Sequence, residues 1–199
     1  MSEVKVDSGR RTWIAITCGA GAVGGAAVAV PFVSSFAPSE RAKAAGAPVQ
    51  VDISGLRPGE KMTVEWRGKP VWVVRRTEEQ VASLQKTEPY VADPFSKRNP
   101  SELTPEYARN VPRSIKPEVF VCVGICSHLG CSPTDKFSPG PQPSLPDDWL
   151  GGFLCPCHGS TFDMAGRVFK NKPAPDNLEV PRHMYLSDTL LLIGEDSKG

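Results

Sequence analysis

This chain of 199 residues has few histidines, few cysteines and almost no net charge. It has 3 His and 6 Cys, and 23 Lys and Arg nearly balance 22 Asp and Glu, which leaves a formal net charge of +1. Nucleic-acid binding requires a clustered basic surface, so this composition argues against a nucleic-acid partner. The length allows one domain of ordinary size together with an appendage.

Charge is absent altogether from residues 13–36. As a helix this stretch would extend about 36 Å, which is enough to cross the hydrocarbon core of a bilayer. Two arginines precede it, so the N-terminus is predicted in the cytoplasm and the rest of the chain outside. The run Arg10-Arg11-Thr12-Trp13-Ile14 resembles a twin-arginine export signal, and residues 1–12 are interpreted as the cytoplasmic segment that carries it. An uncleaved anchor is favoured over cleavage near residues 42–44, because the span is long for a signal peptide.

Proline and glycine, with 20 and 18 residues, predict a loop-rich β domain over residues 49–199. Residues 37–48 are small and polar and are interpreted as a linker. Three runs with period-two alternation, separated by turns at 58–59 and 68–69, predict an antiparallel β set. The other predicted elements are a helix from Thr77 to about Gln85, a helical turn after Pro105, a buried strand at 118–123, and closing strands at 167–169, 178–180 and 189–193.

Four of the cysteines and two of the histidines fall in two six-residue stretches, Cys-Ser-His-Leu-Gly-Cys at 126–131 and Cys-Pro-Cys-His-Gly-Ser at 155–160. Each stretch offers one Cys and His pair and one further cysteine. Thiolate and imidazole ligands suit zinc and iron-sulfur clusters alike. Zinc fingers usually pair Cys with Cys and His with His, whereas each stretch here mixes the two types. A two-iron cluster with Cys on one iron and His on the other would draw on both stretches.

The two stretches resemble the cluster-binding boxes of Rieske iron-sulfur subunits of ubiquinol-cytochrome c oxidoreductase, the cytochrome bc complex. The resemblance extends from the N-terminal anchor to Pro173-Ala174-Pro175 and the last strand. It implies an all-β Rieske-type domain of antiparallel sheets, with a cluster-binding subdomain at about 122–177, preceded by one transmembrane helix. In this family the linker is the hinge on which the soluble domain moves, and the sequence leaves a passive spacer open as the alternative.

The resemblance also implies a Rieske [2Fe-2S] cluster and a role for each box residue. One iron would be held by Cys126 and Cys155, and the other by His128 and His158. Imidazole in place of two thiolates raises the potential of such a cluster above that of an all-Cys ferredoxin. The remaining implied roles are a hydrogen bond from Ser160 to a bridging sulfide, quinol contact through His158 with His128 beside it, and a disulfide between Cys131 and Cys157.

The implied function is electron transfer in an oxidoreductase complex. The subunit would accept an electron and a proton from quinol and pass the electron to a c-type cytochrome, as part of a dimeric complex that includes a cytochrome b subunit. Because a disulfide needs an oxidising compartment, the domain is expected in the bacterial periplasm, anchored in the inner membrane.

Two positions depart from the family pattern. Phe162 stands where respiratory members have a tyrosine, and Lys172 stands where the proline loop usually begins with glycine. Two other interpretations remain open: a Rieske subunit of another oxidoreductase, such as arsenite oxidase, and a zinc-stabilised, disulfide-bonded binding module. Cys122 and His183, outside both boxes, are predicted to be structural.

Overall fold

The computed structural model describes residues 8–40, 42, 46–98 and 103–196, and the chain divides into two compact units, 1–44 and 45–199. The first contains helix α1, Ser8–Ser35, which is long and apolar enough to cross a membrane. It begins five residues before the predicted span and includes Arg10 and Arg11. Residues 1–7 of the predicted signal segment, and 41 and 43–45 of the predicted linker, lie outside the described residues.

The described part of the second unit folds into three antiparallel sheets of three strands each. The first sheet has the order β1-β9-β8, the second β2-β3-β4 and the third β5-β6-β7. The strands are β1 Val49–Asp52, β2 Lys61–Trp66, β3 Lys69–Arg75, β4 Val119–Val123, β5 Thr134–Lys136, β6 Gly152–Leu154, β7 Thr161–Asp163, β8 His183–Tyr185 and β9 Leu190–Ile193. The prediction of antiparallel β sheets preceded by one apolar helix is confirmed.

The pairing of the first three strands differs from the prediction. β2 and β3 form a hairpin, but β1 pairs with β9 in another sheet. Alternation identifies a strand without identifying its partner. The hairpin turn is centred on Arg67 and Gly68, one residue before the predicted position, and both have the positive φ that a two-residue hairpin turn favours, 53° and 70°.

Two of the predicted closing strands are wrong. Residues 167–169 form only isolated bridges, and 178–180 make single main-chain bonds to Gly166, Leu103 and the end of β4 instead of a ladder. Both segments are apolar because they are buried, and short buried loops share that signature with strands. Strand β8 was not predicted, because its three residues are too few to show alternation.

Two local helical predictions are confirmed. Helix α2, Glu78–Thr87, opens with a capping box in which Thr77 and Gln80 bond each other's main-chain N–H groups. A 3-10 turn at Glu106–Ala108 follows Pro105, and a second occupies Glu88–Tyr90.

Strands β3 and β4 separate two hydrophobic cores. Along β4, Phe120 and Cys122 face the core that holds the boxes, whereas Val121 and Val123 face the core against the β1-β9-β8 sheet. Burial raises the pKa of the Cys122 thiol to about 12, so it is an inert core residue. His183 is also buried, which lowers its pKa, and its Nδ1 bonds the carbonyl of Pro181. Both residues are structural, as predicted.

Two buried arginines bond the chain that follows the second box. Arg113 is fully buried and donates to the carbonyls of Ala165 and Leu178 and to the hydroxyl of Thr104. Arg167 donates to the carboxylate of Asp163 at 2.7 Å in an equally buried pair. These bonds hold the chain around the second box, and sequence reasoning did not anticipate them, because a lone arginine in a loop is usually exposed.

Candidate metal centre

The β5-β6-β7 sheet brings the two boxes to the same place. The second box is the loop that joins β6 to β7, since Leu154 pairs with Thr161 directly beneath it. The first box follows β4 and leads into β5, whose residue Thr134 pairs with Leu154. Both boxes therefore leave the sheet at the same edge, from adjacent strands.

The two box loops close with the same hydrogen bonds. In the first, the N–H of Cys126 donates to the carbonyl of Cys131 at 2.8 Å, and Gly130 donates back to Cys126 at 3.1 Å. In the second, Cys155 donates to Ser160 at 2.8 Å and Gly159 donates back to Cys155 at 3.0 Å. The glycines have φ of 81° and 73°, a conformation that glycine adopts without strain. Each loop thus fixes its first cysteine at the same point of the same turn.

The two box loops carry the four predicted ligand side chains. The residues Cys126 and Cys155 are each 2 % exposed and carry free thiols. The rings of His128 and His158 lie nearly perpendicular, with centroids 4.7 Å apart. His128 Nδ1 is buried and has no hydrogen-bond partner among the described residues. A buried polar atom without a partner is costly, so this nitrogen calls for a partner beyond the described residues of the chain.

The predicted disulfide is present between Cys131 and Cys157. The two sulfurs lie with that of Cys155 in a group within 4.8 Å. Only Cys155 in this group is a free cysteine, and disulfide sulfurs do not act as thiolate ligands. The disulfide therefore joins the two loops beside the ligand positions and does not compete for a metal.

The proline loop, residues 173–175, is bonded to both boxes. The N–H of Ala174 donates to the Ser160 hydroxyl oxygen at 3.0 Å. Immediately after the loop, Asp176 exchanges two bonds with Ser127, whose hydroxyl donates to its carbonyl at 2.6 Å and accepts from its N–H at 3.2 Å. Ser127 was not singled out from the sequence, because a serine inside a box gives no sign of a partner 49 residues away.

The surroundings of Cys126 disfavour the thiolate form of that residue. Burial raises the pKa of the Cys126 thiol, and the adjacent Cys155 sulfur raises it further, against the lowering effect of the His128 main-chain N–H and the Ser160 hydroxyl. A bound cation would reverse this balance, because metal binding displaces the thiol proton. Two buried thiols, a buried unpartnered imidazole nitrogen and a second imidazole beside it are a donor set that fits a Rieske [2Fe-2S] cluster.

The fold and this donor set define a Rieske-type iron-sulfur protein. A Rieske [2Fe-2S] domain model matches residues 98–182, and the model described as "Ubiquitinol-cytochrome C reductase Fe-S subunit TAT signal" matches residues 1–39. The ubiquinol-cytochrome c reductase iron-sulfur subunit of Allochromatium vinosum is 57% identical over 94% of this chain and 88% of its own length. The subunit of the same name from Bradyrhizobium diazoefficiens is 38% identical over 93% and 94%. A chain of a hyperthermophilic respiratory Complex III is 27% identical over 89% of this chain and 98% of its own, with a TM-score of 0.47.

The chain belongs to the family of ubiquinol-cytochrome c reductase iron-sulfur subunits. It is an electron-transfer subunit of the oxidoreductase class, with a Rieske [2Fe-2S] cluster as its cofactor. Membership in this family supports the predicted subunit of ubiquinol-cytochrome c oxidoreductase. It disfavours the two alternatives, a Rieske subunit of another oxidoreductase such as arsenite oxidase and a zinc-stabilised binding module. The export-signal match and the apolar helix α1 fit a membrane-anchored bacterial subunit.

Proposed function

We propose that Cys126 and Cys155 hold one iron of the cluster and that His128 and His158 hold the other. The observations that support this assignment are the buried, unpartnered Nδ1 of His128 beside the His158 ring and the two buried free thiols at the first positions of the two loops. Within the described residues, no other free cysteine pair accompanies two histidines.

Ser160 is the proposed hydrogen-bond donor to the cluster environment. Its oxygen already accepts the N–H of Ala174, which leaves the hydroxyl hydrogen to be donated elsewhere. The Ser160 hydroxyl lowers the pKa of the Cys126 thiol, which supports a hydrogen bond between that hydroxyl and the Cys126 sulfur. The cluster, when bound, takes up and returns one electron. A donor near its sulfur stabilises the more negative reduced state and so raises the potential.

His158 is the proposed contact for quinol. It lies on the exposed tip of the second loop, whereas His128 is half-buried. An exposed imidazole can accept a hydrogen bond from a quinol hydroxyl and then its proton. The reaction supported by this arrangement is the transfer of one electron and one proton from quinol, after which the electron goes to a c-type cytochrome.

The proposed setting is a dimeric cytochrome bc complex with a cytochrome b subunit and a c-type cytochrome subunit. The relatives' names support the complex, and the export signal with α1 supports an anchor in the bacterial inner membrane with the domain in the periplasm. The proposed organisation is a cytoplasmic segment at 1–12, an anchor at 13–36, a hinge at 37–48 and a periplasmic domain at 49–199, with the cluster-binding subdomain at about 122–177.

Ligand substitution tests the assignment. Separate Cys126→Ser, His128→Gln, Cys155→Ser and His158→Gln variants of the full-length chain are expected to lose the reduced-state EPR signal and most of the bound iron. Cys18→Ser is the matched control, because Cys18 is the exposed free cysteine of α1, and it should retain both. A normal spectrum in any of the four ligand variants would remove that residue from the set.

A further inference from the structure

Three sulfurs lie close together where the disulfide joins the two box loops. The sulfur atoms of Cys131, Cys155 and Cys157 are all within 4.8 Å of one another. Cys131 and Cys157 form the disulfide, and Cys155 carries a free thiol. Thiolates break disulfides by attacking one of the two bonded sulfurs. The fold therefore places a nucleophilic group beside the bond that it can attack.

The two buried free thiols of the boxes differ in their distance from the disulfide. The Cys126 sulfur lies next to that of Cys155. Among the described residues, however, Cys126 does not belong to the group of sulfurs that includes the disulfide. Both thiols are only 2% exposed, which shields them from disulfides in solution. Cys155 is therefore the thiol that is placed to react, and the internal disulfide is within its reach.

The surroundings indicate which of the two bonded sulfurs Cys155 attacks. Attack on Cys157 would link two residues separated only by Pro156, in a short ring stiffened by the fixed φ of proline. Attack on Cys131 would link the two loops, as the existing disulfide does. It would also release Cys157, which is exposed, whereas Cys131 is half-buried. A released thiolate is better solvated in water than in a half-buried position, so attack on Cys131 is favoured.

We propose that Cys155, when its sulfur is not bound to iron, attacks the sulfur of Cys131 and exchanges disulfide partners with Cys157. The bond between Cys131 and Cys157 breaks as the bond between Cys131 and Cys155 forms. Cys155 loses its proton to water, and Cys157 leaves as a thiolate that takes up a proton. The step is an isomerisation in which no electron enters or leaves the protein. Because both reacting groups belong to one chain, its rate should not depend on protein concentration.

The exchange removes a proposed iron ligand. In the exchanged chain Cys155 is tied up in a disulfide, so only Cys126 of the two assigned thiols remains free. This consequence rests on the proposed function, which assigns Cys155 to iron, whereas the exchange itself rests on the positions of the three sulfurs. Iron bound to Cys155 would occupy the attacking sulfur. The cluster-bound chain should therefore keep its original disulfide.

The test maps the disulfides of the full-length chain in detergent, with the cluster bound and after a chelator has removed it. Samples are taken over minutes to hours, the time that uncatalysed disulfide rearrangement requires. Each is denatured in excess iodoacetamide and digested without reductant, and fragmentation spectra locate the label. In the cluster-free chain most of the label should move from Cys155 to Cys157, at a rate that dilution leaves unchanged. In the cluster-bound chain the label should stay on Cys155.

Cys126→Ser and Cys155→Ser are the matched variants, because each removes one of the two free thiols of the boxes. Without a cluster, Cys126→Ser should still transfer the label to Cys157, whereas Cys155→Ser should leave Cys157 unlabelled. The exchange would be overturned by label that stays on Cys155 in the cluster-free wild type, or by label on Cys157 in Cys155→Ser. Label on Cys131 would overturn the choice of the attacked sulfur. Equal rates with and without the cluster would instead overturn the assignment of Cys155 to iron, and the exchange would stand.

Discussion

The two box loops have the same backbone conformation but carry different side chains. Both begin with a buried cysteine, and both close with the same pair of main-chain bonds around a left-handed glycine. Four positions differ, the second, third, fourth and sixth. They carry Ser127, His128, Leu129 and Cys131 in the first loop, and Pro156, Cys157, His158 and Ser160 in the second.

This difference assigns distinct roles to equivalent positions. A histidine at the third position is half-buried with its Nδ1 enclosed, whereas a histidine at the fourth position lies on the exposed tip. The displaced cysteines then meet across the loops as the disulfide, and the sixth position of the second loop is free for a hydroxyl. A shift of one residue within a common turn thus separates the enclosed imidazole of His128 from the exposed imidazole of His158, the proposed contact for quinol.

The largest effect should come from removing the link between the loops. The double variant Cys131→Ala with Cys157→Ala loses a crosslink across 26 residues. The chain-entropy model gives a loss of about 3 to 4 kcal/mol in the free energy of unfolding of the cluster-free protein. In the holoprotein the ligands already hold both loops, so the cluster should assemble but decay faster.

Denaturant unfolding of the cluster-free chain and the time course of the EPR signal measure the two effects. Cys18→Ser again serves as the control for loss of a cysteine outside the boxes. Unchanged stability of the cluster-free double variant would mean that the main-chain hydrogen bonds of the two box loops hold them rigid without the disulfide.

Ser160, which bonds the proline loop, and Ser127, which bonds Asp176 directly after it, should differ in the effect of their removal. Ser160→Ala leaves the buried N–H of Ala174 without its acceptor, which costs about 1 to 3 kcal/mol of stability. It also removes the donor near the Cys126 sulfur, so the midpoint potential should fall. Ser127→Ala loses its bonds to Asp176 and should cost stability while leaving the potential nearly unchanged.

Redox titration and denaturant unfolding of both serine variants separate these outcomes. A Ser160→Ala protein with the wild-type potential would show that its hydroxyl does not act on the cluster. An equal fall in both variants would attribute the change to movement of the proline loop.

The parts of the molecule that could be predicted are those whose sequence patterns lie within a few consecutive residues. The box residues are adjacent in sequence and chemically rare, and the capping box at Thr77 and Gln80 is complete within four residues, so both could be found from the chain alone. The pairing of β1 with β9 spans more than a hundred residues and leaves no trace in either strand's alternation. The same is true of Arg113, whose buried role depends on carbonyls supplied by distant loops.

Substitution of Gly130 and of Gly159 should cost the same stability if the two box loops have the same backbone conformation. A Cβ at Gly130 or Gly159 would meet nothing within 4 Å, so Gly130→Ala and Gly159→Ala would each introduce only the left-handed strain of about 1 to 2 kcal/mol. Matching decreases in the free energy of unfolding of the cluster-free variants are expected. A difference above about 1 kcal/mol would show that one loop carries constraints beyond its own hydrogen bonds.

The smallest predicted change concerns Phe162, which follows the second loop. Phe162 is fully buried, pairs with Phe153 across β6 and β7, and shares its core with Cys126 and Cys155. A tyrosine hydroxyl that reaches the Cys126 sulfur would bond the reduced state more strongly, because that state carries one more negative charge. Phe162→Tyr should therefore raise the midpoint potential and speed quinol oxidation.

The expected size follows from the net value of one hydrogen bond, about 0.5 to 1.5 kcal/mol. A one-electron couple moves by 59 mV for a tenfold change, so the midpoint potential should rise by roughly 20 to 65 mV. Phe153→Tyr is a control, since it adds a hydroxyl to the opposing strand of the same buried pair. Redox titrations of all three proteins at one pH make the comparison. An unchanged or lowered midpoint in Phe162→Tyr would mean that the hydroxyl does not reach the sulfur, or that Ser160 already occupies it.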